Sequence, residues 1–111
     1  MFAYEIPALR FSLPSVAEVK QHRFVSVDAN SNGIQATAET QVIGASMNEV
    51  AANQVLEIAD GIVMVEAAGA ITAGAAVYAN AEGKAAASGS KVAGVAITAA
   101  SAAGEIIAVK I

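Results

Sequence analysis

The chain has 111 residues, the length of one domain; 56% of them are hydrophobic, but only 5% are aromatic. The absence of cysteine excludes a disulfide framework and a thiolate metal site. A net charge of −4, with six Lys and Arg residues that never cluster, argues against binding to a nucleic-acid backbone. A core built largely of alanine buries little area per side chain, so the domain is expected to gain stability from an oligomer or a partner.

The apolar stretches are too short for membrane-spanning helices. The longest uncharged run, residues 67–81, falls short of the roughly 18–20 residues that a span needs. The N-terminus carries Glu5 and no basic region, unlike a secretory signal. We therefore expect a soluble protein with no membrane partner.

The N-terminal segment, residues 1–22, predicts an extended arm. Pro7 and Pro14 interrupt it, and most of the aromatic residues of the chain precede residue 25. Aromatic side chains on an arm outside a small domain are typical of docking onto another chain. The alternative is that the arm folds back over its own core. The candidate contact residues are Phe2, Tyr4, Ile6 and Phe11.

Residues 23–111 predict a single β domain, because glycines separate short β-branched runs throughout it. Turn signals recur every ten or so residues without a long helical period, which is typical of a small all-β barrel or sandwich. The predicted strands are 23–27, 55–59, 62–66, 75–79, 91–97 and 105–111.

Short local patterns predict the connections. Asn32-Gly33 and Asp60-Gly61 are hairpin dipeptides, and Glu82-Gly83 is a further turn signal. Ser15–Glu18 and Ser46–Glu49 each fit a capping box, which leaves a short helical turn open at both places.

The chain contains an internal repeat. VDANSNG at 27–33 recurs as VYANAEG at 77–83, and QVIGASM at 41–47 as KVAGVAI at 91–97. After a one-residue shift, AANQVLEI at 51–58 aligns with AAGEIIAV at 102–109. Two β-units, about 25–59 and 75–110, are therefore predicted. The predicted structural turn residues are Asn30, Gly33, Asn80, Gly83 and Gly104, with Asn53 aligned to Gly104 because asparagine tolerates left-handed backbone.

Residues 28–39 also match the calcium-loop pattern D-x-[DN]-x-[DN]-G-x5-E. The second copy of the repeat has Tyr78 aligned with Asp28 and Gly89 aligned with Glu39. The flanking sequence predicts a strand instead of the helices of an EF-hand. We interpret the segment as a hairpin turn without a metal.

The sequence offers no set of residues for catalysis. His22 is the only histidine, and no nucleophile motif accompanies it. We expect neither an enzyme nor a cofactor.

Three motifs in residues 41–111 carry a family likeness. They are G-I-x-x-V-x-A-x-G-A-I-x-A-G-x-x-V-Y at 61–78, E-G-K at 82–84, and V-x-G-V-A-x-x-A-A-S-A-A-G-E-I-I-x-V at 92–109. Together they resemble the capsid decoration (cement) proteins of tailed phages.

The resemblance implies a structural virion protein with no enzymatic activity. Such a protein is made in the host cytoplasm and assembles, often as a trimer, on the outside of the expanded head, where it clamps neighbouring major capsid proteins. Phe2, Tyr4, Ile6 and Phe11 would then contact the capsid or a neighbouring subunit. The alternative is a small β-barrel ligand- or carbohydrate-binding module. Its weakness is that Tyr78 is the only aromatic residue beyond the first strand, whereas sugar sites usually need aromatic faces for stacking.

Overall fold

The protein is all-β in this computed structural model, which describes residues 6–111 and the side chains from residue 9 onward. The predicted fold class is therefore confirmed. Within the described range there are nine strands and no helix. The strands are β1 (Ile6–Pro14), β2 (Phe24–Val27), β3 (Gly33–Gln35), β4 (Gly44–Ser46), β5 (Val55–Glu66), β6 (Ala76–Ala79), β7 (Ala85–Ala86), β8 (Val92–Ala96) and β9 (Ile106–Lys110).

The strands form one curled antiparallel sheet that closes half of a barrel. Its order is β3-β2-β4-β5-β9-β8-β6-β7, and β1 pairs with β5 on the side away from β4 and β9. The arm residues from Ile6 to Pro14 thus form a strand of this sheet.

The two capping-box segments, which left a short helical turn open, are not helical. Each serine hydroxyl donates to carbonyls far away in sequence instead of capping a helix. The Ser15 hydroxyl donates to Ala51 O (2.6 Å) and Gln54 O (3.1 Å), and the Ser46 hydroxyl donates to Lys20 O and Arg23 O. Long-range pairing therefore satisfies groups that a local helix would have used.

The predicted hairpin turn at Asp60-Gly61 is also wrong, because β5 runs through both residues without reversing. A two-residue type I′ turn needs positive φ at both positions. Only Gly61 has a positive φ (111°), and the backbone N–H of Gly61 donates a hydrogen bond to the Asp60 carboxylate (2.8 Å). Partners on both edges hold the strand extended: Ile62 lies opposite Ile6 of β1 and opposite Lys110 of β9.

The strand pairing repeats along the chain. We call residues 6–59 the first unit and residues 62–110 the second unit. In the first, β1 pairs with the start of β5, β2 pairs with β3 and β4, and β4 pairs with β5. In the second, the end of β5 pairs with β9, β6 pairs with β7 and β8, and β8 pairs with β9. The pattern begins at β1, ahead of residue 25, where sequence identity does not reveal it.

Left-handed backbone positions repeat with the strands. Three pairs of equivalent residues have positive φ, and in each pair the second unit uses glycine. The pairs are His22 (60°) and Gly74 (86°), Ser31 (65°) and Gly83 (73°), and Asn53 (63°) and Gly104 (94°).

Each unit has its own apolar core. The core of the first unit consists of Val19, Val25, Val50, Leu56 and Ile58. The equivalent side chains of the second unit belong to a larger cluster, which is completed by Phe24, Ala45 and Ala59 of the first unit. The second unit is therefore packed against one face of the first.

Candidate functional site

In the described range, residues 9–111 form no pocket and contain no group of three or more acidic or histidine side chains that could hold a metal. Nor is any helix there long and apolar enough to cross a membrane. Of the sequence-predicted residues that the structure describes, Ile6 and Phe11 lie on β1, Gly33 begins β3, and the others lie at turns.

The four candidate contact residues fall into two groups. Phe2 and Tyr4 lie outside the described residues. Ile6 begins β1, opposite Ile62. Phe11 is half-buried, and it packs against the core of the first unit.

The calcium-like segment is a turn organised by Asp28. Its Oδ1 accepts hydrogen bonds from the N–H groups of Asn30 and Asn32, both at 2.9 Å, and its Oδ2 accepts one from the Asn32 side chain at 3.2 Å. The backbone N–H of Asn32 is the main cause that lowers the pKa of Asp28 below its ordinary value. These bonds direct the carboxylate toward its own loop.

Asn80 organises the equivalent turn of the second unit. Its Oδ1 accepts hydrogen bonds from the N–H groups of Glu82 and Lys84, both at 2.9 Å. Asn80 therefore occupies the place of Asp28, two residues away from the sequence alignment that paired it with Asn30. An acceptor at this position is kept in both units.

The predicted turn glycines have different roles. Gly83 and Gly104 adopt positive φ, whereas Gly33 is the first residue of β3. A Cβ on Gly33 would lie 2.8 Å from Leu56 Cδ2 and 3.3 Å from Leu13 Cβ. Gly33 thus allows a close approach to the core, while Ser31 carries the left-handed backbone of that turn.

The backbone of His22 forms hydrogen bonds at the contact between the units. Its N–H donates to Ser46 O (3.1 Å), and its carbonyl accepts a hydrogen bond from the Glu66 N–H (2.9 Å). The side chain is half-buried.

An ionic cluster joins the two units beside His22. Arg23, which is buried, donates to Glu82 O (3.0 Å) and lies 3.4 Å from Glu66 Oε1, while Lys84 Nζ lies 3.1 Å from Glu66 Oε2. Burial acts to raise the pKa of Glu66, but the hydrogen bond from Lys84 and the positive charges of Arg23 and Lys84 outweigh it. The pKa of Glu66 is therefore below its ordinary value.

The second unit exposes apolar side chains on the outer face of its sheet. Val92 is 57% and Val95 is 43% exposed, and the cross-strand neighbours of Val95 are Ala76 and Lys110. Tyr78, opposite Val92, is half-buried beside Gly89. Sequence reasoning missed this surface, because β8 has one extra residue, Ala93, between the partners of Tyr78 and Val77, and this bulge interrupts the inner–outer alternation of β8.

Residues 5–111 match the phage cement protein family. The chain belongs to this family. The recognition made from the sequence motifs is confirmed, and membership makes the chain a phage structural, capsid-associated protein. No curated protein sequence matches the chain.

The fold of this cement-family chain is similar to that of the head fiber gp8.5 N base in bacteriophage phi29. The two superpose with a TM-score of 0.77 over 93% of this chain and 92% of that chain. Only 16% of the residues are identical, so the likeness is one of fold.

Proposed function

We propose that this protein binds the outer surface of the expanded phage head and stabilises the contacts between neighbouring major capsid proteins. Membership of the phage cement protein family, over nearly the whole chain, carries the proposal. The protein is assembled in the host cytoplasm and remains on the capsid exterior as a virion component.

Mass action provides the mechanism. A protein that binds the expanded lattice and not its dissociated subunits shifts the equilibrium away from disassembly. A trimer presents three copies of the same contact, so modest individual affinities combine into firm attachment. The trimer is part of the proposal.

The N-terminal residues are the proposed anchors. Phe2, Tyr4 and Ile6 are large apolar side chains at the start of the chain, and aromatic residues are enriched among those that dominate binding energy. Phe11 follows on the same segment as a further proposed anchor, and because it also packs against the core of the first unit, its replacement is expected to affect stability as well.

Co-sedimentation with phage heads tests the function. Wild-type protein is expected to pellet with expanded heads and to stay in the supernatant with unexpanded heads. It is also expected to raise the temperature at which expanded heads release DNA. Equal recovery in the supernatant with and without expanded heads would contradict the proposal.

Matched variants test the anchors. Replacing both Phe2 and Tyr4 by serine is expected to weaken head binding at least about tenfold, the equivalent of about 1.4 kcal/mol, with no change in melting temperature. The control, Phe11→Ala, is expected to lower the melting temperature because it opens the core. Full head binding by the double variant would show that Phe2 and Tyr4 do not contribute to the contact with the head.

A further inference from the structure

One cross-strand row of residues occurs in both units. In the first unit, Phe24, Ala45 and Ala59 lie side by side across β2, β4 and β5. All three are at most 2% exposed, because the second unit packs its core against them. The sheet of the second unit thus covers this row in the first unit.

The equivalent row of the second unit is uncovered. Ala76, Val95 and Lys110 lie side by side across β6, β8 and β9, and all three are exposed. Val92, nearby on the same face, is also exposed. We call Ala76, Val92, Val95 and Lys110 the open row. It has the position of an internal packing surface but lies at the surface of the chain.

We propose that the open row is the surface through which one copy of this protein binds a second copy. In the first unit the equivalent row packs against β-sheet of the same chain, and a second copy offers exposed β-sheet surface on its first unit. The open row deepens the proposed function, because it names the surface that would hold the oligomer together. The contact between copies does not depend on head binding; only its role in attaching the oligomer to the head rests on the proposed function.

Charge indicates which part of the second copy fits. Lys110 lies in the open row, and Lys91 precedes Val92. Two lysine-bearing surfaces repel each other, so the open row is a poor partner for itself. A contact between two different surfaces of the same chain is heterologous, and it closes into a ring when the rotation allows.

The first unit offers an apolar surface with an acidic side chain. Val55 is 59% exposed and lies opposite the exposed Pro14. Glu57, two residues further along β5, is exposed next to Ser12, which donates to it at 3.3 Å. The occupant of the open row is therefore the surface of Val55, Pro14 and Glu57 of the second copy, with Glu57 facing Lys110.

Light scattering coupled to size-exclusion chromatography tests the contact in the full chain without heads. Wild type is expected to be oligomeric, and Val95→Glu is expected to shift the protein to monomer. Val27→Glu is the matched control, because Val27 is 40% exposed at the end of a strand of the first unit. This control is expected to remain oligomeric.

A charge exchange keeps the test independent of folding defects. Lys110→Glu and Glu57→Lys are each expected to weaken association about tenfold or more, and the double variant is expected to recover it. A monomeric wild type, an oligomeric Val95→Glu protein, or a double variant no better than the single ones would overturn the proposal.

The outcomes separate this proposal from the proposed function. Monomeric protein that binds expanded heads would overturn the open-row contact and leave the head-binding function standing. An oligomer that depends on Val95 but ignores heads would support the contact and count against the function.

Discussion

At the scale of single residues, one side-chain oxygen holds each of two equivalent turns. Asp28 in the first unit and Asn80 in the second accept hydrogen bonds from the N–H groups two and four residues ahead. Carboxylate and amide are interchangeable here because only one oxygen faces the two donors. The turn therefore requires an acceptor of this length and not a charge.

Removing that acceptor should destabilise the protein. Asn80→Ala leaves two N–H groups without their partner, so we expect a loss of about 1 kcal/mol and a melting temperature roughly 4–8 °C lower. Asn80→Asp, the control, keeps the oxygen and should melt close to wild type at neutral pH. Thermal unfolding followed by circular dichroism measures both. An Asn80→Ala protein as stable as wild type would show that the turn does not depend on this oxygen.

Sequence identified these turns but not their register. The identity of Asn30 and Asn80 suggested an equivalence, whereas hydrogen bonding pairs Asn80 with Asp28. Asp and Asn both accept from nearby N–H groups, so the residue type alone does not say which of Asp28 or Asn30 organises its loop. By contrast, Asn53 and Gly104, which the alignment paired, both have left-handed backbone.

At the scale of elements, β4 and β8 pass unusually close to their neighbours. A Cβ on Gly44 would lie 2.6 Å from Ala59 O and 2.6 Å from Ile58 Cγ2 on β5. Gly94 takes the equivalent position on β8, where a Cβ would collide with Lys110 O of β9. Glycine is required because at both places a backbone carbonyl oxygen, which cannot move aside as a flexible side chain can, lies in the way of a Cβ.

Alanine at these positions should push the strands apart. Gly44→Ala and Gly94→Ala are each expected to cost about 1–3 kcal/mol, the range for added methyl groups in tight packing. Gly69→Ala is the control, since a Cβ there would meet nothing within 4 Å, and it should be neutral or slightly stabilising. Denaturant unfolding gives the three values, and equal stability of all three variants would refute the steric argument.

The apolar runs predicted β2, β5, β6, β8 and β9, but not β1, β3, β4 and β7, and they did not reveal that β5 is continuous. The local sequence, Asp60-Gly61 between two β-branched runs, is compatible both with a hairpin and with one long strand. The difference lies in β1 and β9, which hold β5 straight from its two edges. Likewise, Pro7 and Pro14 suggested an arm, yet β1 tolerates both residues because it lies at an edge of the sheet.

At the scale of the whole molecule, the ionic cluster of Arg23, Glu66 and Lys84 ties the two units together. The folded state depresses the pKa of Glu66, so its contribution to stability is present above the unfolded value of about 4.3. This contribution is lost as the pH falls through the lower, folded value.

Glu66→Gln should therefore lower the melting temperature at pH 7, with a loss of about 1–2 kcal/mol. The difference from wild type should shrink as the pH falls below the unfolded value of about 4.3 and vanish once the pH has passed the lower pKa of Glu66 in the folded state. Glu18→Gln is the control, because Glu18 lies 3.8 Å from Lys20 in an exposed pair and should have little effect. The melting temperatures of wild type and the two variants, measured from neutral to acidic pH, test this prediction. If the difference between wild type and Glu66→Gln stays constant with pH, the effect comes from packing and not from the charge of Glu66.

Family membership followed from sequence motifs, whereas the contact between the units did not. Phe24 appeared in the sequence as one more strand residue, and only the three-dimensional pairing places it under the second unit. The exposure of Val92 and Val95 was equally hidden, because their run is as apolar as the buried ones. Packing between non-local elements decides which face of a strand is covered.

The strand β5 joins the two units without a loop between them. Leu56 and Ile58 complete one core, and Val63 and Val65, a few residues later on the same strand, belong to the other. Neither half can swing or melt alone without pulling β5 out of its neighbour. A load applied to one unit passes along a covalent strand that is clamped by ladders on both edges. We therefore expect the two units to move as one body, so that a displacement of a surface bound to one unit reaches the other through β5.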